Sequence, residues 1–294
     1  MDPNQFRKII RTEYGYQSPE RRLFLAHHLP GWRTFIFYAR IVTSFVIARL
    51  DGFRGKLTND RWLKASIRCL QAVESAGGRV NVSGLEAVSQ HKGPLVYIAN
   101  HMSVLETIIL PSVTLTFNEV TFIIKDELRR YPLIGRVMTA LNLIAVYRQN
   151  PREDLKIVLN EGQNRIRQGC SVIIFPQATR SKVFDQKIFN TLGVKLALKA
   201  GVPVVPIALK TDFHGNGRWI KDIGPIYPDL PLYFKFGEPM AVTGNGHATH
   251  QRVVEFITQN LKQWGAEVKM SAEGGMRNAE SGIPNNAYPG SNNK

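Results

Sequence analysis

Cysteine is scarce: Cys69 and Cys170 are the only two among 294 residues. Two thiols make no disulfide framework, and neither is marked as a thiol catalyst. Cys170, at the head of the apolar run Ser171 to Phe175, reads as a buried free thiol in a reducing cytoplasm. Long apolar runs are also missing. The nearest approach, Trp32 to Leu50, is interrupted by Arg40 and Arg49. It falls short of the ~18–20 uninterrupted apolar residues that cross a bilayer. The first thirty residues mix acidic and basic side chains with no apolar core near Met1, so no secretory signal is expected. Acidic residues are few: 23 Asp and Glu against 38 Lys and Arg leave a formal charge of +15. That excess suits an anionic partner, either an anionic phospholipid surface or a phosphorylated substrate. Zinc-finger spacing and RNA-recognition aromatics are absent, so no nucleic acid partner is expected. The blander reading is charge spread over the surface for solubility. No Gly-x-Ser-x-Gly elbow occurs, which argues against a serine hydrolase built on Ser103. His27-His28 and His247-x-x-His250 lack Cys, Asp or Glu at ligand spacings, so no metal and no redox cofactor is expected.

Apolar residues make up 44% of the chain, enough for one large α/β domain with an appendage. Residues 1–30 read as basic and irregular. Trp32 to Leu50 is apolar with spaced arginines, and Asp51-Gly52 marks a break. Thr58 to Ala76 reads as a helix capped by Thr58, Asn59 or Asp60, with Leu63, Ile67 and Leu70 on one face and Arg61, Lys64, Arg68 and Gln71 on another. Gly77-Gly78 ends it. An apolar segment with interspersed cations followed by a cationic amphipathic helix fits an interfacial anchor, in which arginines snorkel while Trp32, Phe35, Phe37 and Phe45 enter the headgroup boundary. The competing reading packs both helices on the domain behind them. From Arg79, apolar strand-like runs alternate with helical patterns: Leu95 to Ala99, Val120 to Ile124, Leu143 to Tyr147, Ser171 to Phe175 and Val204 to Leu209, with helices at Arg152 to Gln168 and Thr249 to Trp264. This alternation predicts an α/β fold with a largely parallel, mixed sheet flanked by helices, preceded by an N-terminal membrane-associating helical segment. The boundaries fall at 1–78 for the basic helical region, 79–265 for the α/β domain and 266–294 for a polar tail expected to be disordered.

Three strand ends carry chemistry-bearing side chains. His101 and Glu106 follow the first α/β strand, Lys125 the second, and Arg180, flanked by Thr179 and Ser181, the fourth. In open parallel sheets ligands gather beyond the carboxyl ends of the strands. A histidine is the right base for an alcohol near neutral pH, and a carboxylate on its other ring nitrogen would fix its tautomer. Positions five apart on an ideal helix point about 140° apart, so His101 must lie in the loop and turn back over the first helical turn to meet Glu106. Ser103-x-x-Glu106 is also a capping box, which competes for the same carboxylate. Arg180 suits bidentate binding of phosphate, with hydroxyl donors beside it; the alternative is an arginine tied up in an ion pair.

These residues resemble the glycerolipid acyltransferases typified by 1-acylglycerol-3-phosphate acyltransferase. The likeness lies in four ordered blocks over roughly residues 80 to 240: Asn100-His101-x4-Glu106; Lys125-Asp126-Glu127-Leu128 with Pro132-Leu133-Ile134-Gly135; Phe175-Pro176-Gln177-Ala178-Thr179-Arg180-Ser181; and Val202-Pro203-Val204-Val205-Pro206-Ile207. Three positions depart from the usual pattern. Glu106 stands for Asp, Gln177 for Glu and Ala178 for Gly. The resemblance implies an O-acyltransferase on the cytoplasmic face of a membrane that takes its acyl group from acyl-CoA or acyl carrier protein as co-substrate, with no tightly bound cofactor. The acceptor would be a lysophospholipid-like alcohol, 1-acylglycerol-3-phosphate above all. His101 and Glu106 would be catalytic, Arg180, Thr179, Ser181 and Lys125 would hold its phosphate, and Gln177 would contact the acceptor. The changed blocks also leave open an idle relative that binds lipid or carrier protein, or an enzyme for a non-phosphate lyso-lipid.

Overall fold

The computed structural model describes residues 1–20, 31–177, 179–217 and 222–270. His27, His28, Ala178 and the tail beyond Met270 lie outside them. The chain does not open irregularly. Asp2 caps α1 (Pro3–Glu13) by accepting from the Asn4 N–H at 2.8 Å, and proline occupies the first turn. Phe6 and Ile10, one turn apart, are fully buried. Tyr14, with φ 50°, turns the chain into β1 (Tyr16–Gln17). The Tyr16 hydroxyl donates to Glu74, and the Ser18 hydroxyl does so at 2.9 Å.

The next two helices are α2 (Trp32–Phe53) and α3 (Asn59–Ser75), the latter capped by Thr58 as its sequence predicts. The expected break at Asp51-Gly52 does not occur; α2 runs through both and stops at Gly55, which has φ +64°. Asp51 is held by Arg61 of α3, and Gly52 faces Arg136 and Ala140 of α6, where an added Cβ would meet only ordinary van der Waals contacts. The strand and helix alternation follows: β2 (Val80–Ser83), α4 (Glu86–Gln90), β3 (Val96–Ala99), α5 (Leu105–Thr114), β4 (Val120–Lys125), α6 (Gly135–Ala140), β5 (Ile144–Val146), α7 (Pro151–Arg167), β6 (Ser171–Ile174), β7 (Phe184–Asp185), α8 (Leu192–Ala200), β8 (Val204–Lys210), β9 (Leu232–Phe236), α9 (His247–Gln263) and β10 (Val268–Lys269).

Eight strands form one sheet in the order β1-β2-β9-β8-β3-β6-β4-β5. Only β1 with β2 and β8 with β9 run antiparallel. The four central strands β8, β3, β6 and β4 are mutually parallel, so their carboxyl ends share one edge. Buried on both faces, they read as unbroken apolar runs, as in Val172-Ile173-Ile174. Two contacts cross the expected boundaries. Phe6, Phe37, Leu63 and Ile67 belong to the same apolar core as Tyr97, Ile173 and Phe234, so α1, α2 and α3 share a core with the sheet. Val268–Lys269, placed in the tail by composition, pairs in parallel with Phe184–Asp185. Cys69 is buried as a free thiol; Cys170 is free but only partly buried, and burial pushes its pKa up to about 11.

Candidate active site

The loop after β3 is built by short polar side chains that stand in for backbone. Asn100 donates from Nδ2 to the Leu209 carbonyl at 2.7 Å and accepts from the Leu209 N–H at 2.8 Å. It thus continues the β3–β8 pairing one residue past the strand, where the chain must leave the sheet. His101 follows, with both its backbone groups clamped by the loop after β6. Its N–H donates to Gln177 Oε1 at 2.9 Å, and its carbonyl accepts from the Ser181 N–H at 2.9 Å. Its ring stacks on Phe175 with centroids 4.4 Å apart.

His101 Nδ1 lies 2.7 Å from Glu106 Oε2. The histidine does sit in the loop and turn back over the start of α5. The two readings of Glu106 are both realised. Its carboxylate also accepts from the Met102 N–H at 2.9 Å and the Ser103 N–H at 2.8 Å, and the Thr211 hydroxyl donates to Oε1. The extra methylene of glutamate lets the carboxylate fold back onto these amides while reaching the ring. Glu106 is fully buried, which deprives a charged group of water; the backbone and hydroxyl donors and the helix N-terminus around it offset that cost. In the tautomer that gives Nδ1–H to Glu106, the ring's lone pair is on Nε2.

A cavity of about 620 Å³ opens beside this pair. His101, Lys125, Gln177, Thr179 and Arg180 line it at the strand ends, and Phe45, Ala48, Trp62, Val137 and Met138 line its apolar reach between α2, α3 and α6. Gly135 starts α6 because an added Cβ would lie 2.2 Å from the Arg129 carbonyl oxygen. The remaining sequence candidates fall unevenly. Thr179 is exposed at the rim. Lys125 reaches the cavity but also pairs with Glu127 at 3.2 Å. Arg180 is paired with Asp222. Ser181 is not brought to the cavity wall; its Oγ accepts from the Val183 N–H at 3.1 Å. Gln177 is buried and serves the His101 backbone, and its Nε2 has no partner among the described residues. Among the described residues no group of three or more His, Cys, Asp or Glu is arranged to hold a metal ion. His250 stacks on Phe189 and is pressed below its usual pKa by burial, with His247 acting the same way.

Similarity to known proteins agrees with this geometry. A sequence model of the acyltransferase family matches residues 79–210. The 1-acyl-sn-glycerol-3-phosphate acyltransferase of Pseudomonas aeruginosa is 30% identical over 246 residues, spanning 80% of this chain and 89% of that protein. The chain belongs to this acyltransferase family. The chloroplastic 1-acyl-sn-glycerol-3-phosphate acyltransferase LPAT1 of Arabidopsis thaliana is 34% identical over 131 residues, 45% of this chain and 36% of that one. The crystal structure of the 1-acyl-sn-glycerophosphate (LPA) acyltransferase PlsC of Thermotoga maritima shares the fold, with a TM-score of 0.57 and 24% identity over 81% of this chain and 96% of that one.

Sequence reasoning missed several parts of this acyltransferase site. Thr211 follows β8 and so shares the strand-end edge, a signal that was readable. Phe175 was legible as part of the third block but not as the ring that stacks on His101, and Asp222 carried no signal, because only the packed fold brings it beside Arg180.

Proposed function

We propose that the protein moves a fatty acyl group from a thioester of coenzyme A or acyl carrier protein to the free hydroxyl of 1-acylglycerol-3-phosphate, a step of phospholipid biosynthesis. The observation that carries this reading is the His101–Glu106 pair, held at the strand ends on a cavity that is cationic at one end and apolar at the other. His101 Nε2 takes the hydroxyl proton as the oxygen attacks the thioester carbonyl. The tetrahedral adduct then collapses, the C–S bond breaks, and the imidazolium returns its proton to the leaving thiolate. Glu106 stabilises that imidazolium. Arg180, with Lys125 and the Thr179 hydroxyl, receives the acceptor phosphate, and hydrocarbon occupies the apolar reach between the helices. Ser181 and Gln177 act through the backbone of His101. The thioester is a co-substrate and no tightly bound cofactor takes part.

The same reading seats the enzyme peripherally on the cytoplasmic face of a membrane. Trp32, Phe35, Val42, Val46, Leu50 and Phe53 form an exposed stripe along α2 at helical spacing, opposite the buried Phe37, Ser44 and Ala48. Among the described residues no helix is long and apolar enough to cross a bilayer. Labelled acyl-CoA and acyl carrier protein, offered with a panel of lysolipids to the wild type and to His101→Ala, test the proposal. Transfer that requires His101 is expected. Equal turnover by the two proteins refutes the base, and no transfer from folded, lipid-bound wild type refutes the activity.

A further inference from the structure

The arginine of the anion site is already occupied. Arg180 Nη1 pairs with the Asp222 carboxylate, and the two side chains are 18% and 50% exposed. Both line the cavity. The backbone that carries Asp222 is fastened from α2. The Tyr38 hydroxyl donates to the Gly224 carbonyl at 2.5 Å and accepts from the Gly224 N–H at 2.8 Å. His214 Nε2 lies 3.0 Å from the same oxygen. The hydroxyl has one proton and gives it to Gly224, so His214 presents Nε2–H to it. The imidazole is neutral at pH 7, because burial and then the Arg180 charge press its pKa down to about 4. With one bond donated and two accepted, Tyr38 is saturated. Glycine is required at 224, where an added Cβ would lie 2.0 Å from the Gly215 carbonyl oxygen.

We propose that Asp222 is a counter-ion that limits how tightly Arg180 holds phosphate, and that Tyr38 is the positioning residue that keeps it there. The proposal rests on the acyltransferase reading above. In that reaction the acceptor's phosphate passes unchanged into the product. Its contact with Arg180 is therefore equally strong before and after transfer, so it lowers KM and slows product departure without speeding the chemistry. A carboxylate beside the guanidinium weakens every phosphate that arrives, because like charges a few ångströms apart repel. Half-exposure of Asp222 screens that repulsion, which leaves an effect of up to about fivefold.

Calorimetric titration of the full chain with inorganic phosphate, beside kcat and KM for 1-acylglycerol-3-phosphate, tests this. Asp222→Asn is expected to bind phosphate up to about fivefold more tightly, with a lower acceptor KM and a reduced kcat as product leaves more slowly. Tyr38→Phe is expected to move both readings in the same direction by less. Added sodium chloride is expected to shrink the gap between wild type and Asp222→Asn. Phosphate affinity that is unchanged or weaker in Asp222→Asn overturns the proposal and makes Asp222 an orienting or structural partner. Arg180→Ala separates this from the parent reading. If it binds phosphate like the wild type, Arg180 is no phosphate site and the proposal falls with it. Absence of transfer by the wild type overturns the activity alone, since the binding titration needs no turnover.

Discussion

Glu106→Gln isolates the proposed catalytic pair from the fold around it. The change is isosteric and replaces one acceptor oxygen by an amide donor. On the Oε1 side three donors converge, from Met102, Ser103 and Thr211; on the Oε2 side stand His101 Nδ1 and a second, 3.0 Å contact from Ser103. The amide oxygen keeps the side with more donors, so the new NH2 faces His101. To avoid a donor–donor clash the imidazole must shift its proton to Nε2, which removes the free base from the cavity. Holding a catalytic histidine in the wrong tautomer costs roughly 10³–10⁴ in kcat, about 4–5.5 kcal/mol of barrier. The residual mismatch at Ser103 destabilises the fold by about 1–3 kcal/mol, a drop of several degrees in Tm for a domain of this size. Acyl-transfer kinetics at saturating donor, with a thermal melt of the same sample, measure both. The kcat is expected to fall with the acceptor KM little changed. Glu106→Asp keeps the charge and is expected to retain far more activity than the amide. A Glu106→Gln protein that melts cooperatively and turns over at the wild-type rate would refute the tautomer argument and leave Glu106 as a helix cap alone.

Other outcomes follow from the same geometry. Arg180→Ala is expected to raise the acceptor KM at least tenfold, since a charge-assisted contact is worth about 1.5–3 kcal/mol, while the donor KM stays put; an unchanged acceptor KM counts against phosphate recognition. His214 binds its proton less readily folded, about 4 against an ordinary 6.5. Between those values the unfolded chain binds more protons, so stability present above pH 6.5 is lost as pH falls toward 4, by about 3 kcal/mol from this group. Arg180 adds to the depression while Asp222 and Glu106 oppose it. Denaturant melts of wild type and His214→Gln across that range should converge toward acid, and parallel curves would exclude His214 as a source of the loss. Phe35→Asp with Phe53→Asp, both on the exposed stripe of α2, is expected to weaken sedimentation with anionic vesicles more than tenfold, since burying one large apolar side chain is worth about 1.5–3 kcal/mol. Unaltered vesicle binding would place the membrane contact elsewhere.

The alternation of strands and helices was legible from Leu95 onward because buried parallel strands are unbroken apolar runs, and α3 was legible before it because Thr58 marks its start by local chemistry. The first seventeen residues were not, since α1 shows its burial through just two positions, Phe6 and Ile10, and β1 is two residues long. Asp51-Gly52 misled for a related reason. Gly52 lies inside the helix and packs against Arg136 and Ala140 rather than making a turn, and neighbours distant in sequence leave no local mark. Leu232–Phe236 escaped notice because its alternating burial is short and its partner β2 lies some 150 residues earlier.

By itself the sequence determined the fold class, the order of the four blocks and the three strand-end side chains, because periodicity, capping and residue chemistry are local properties. It could place His101 before a helix and require it to turn back on Glu106, but it left the dyad and the cap as rivals. Only the tertiary structure decided that one carboxylate does both, since its third kind of donor, Thr211, comes from just past the end of β8, 105 residues away. The same is true of Gln177, whose side chain is spent on the His101 backbone, and of Asp222 on Arg180. Packing brings these groups together from separate strands and loops, and no spacing within a single segment encodes the meeting.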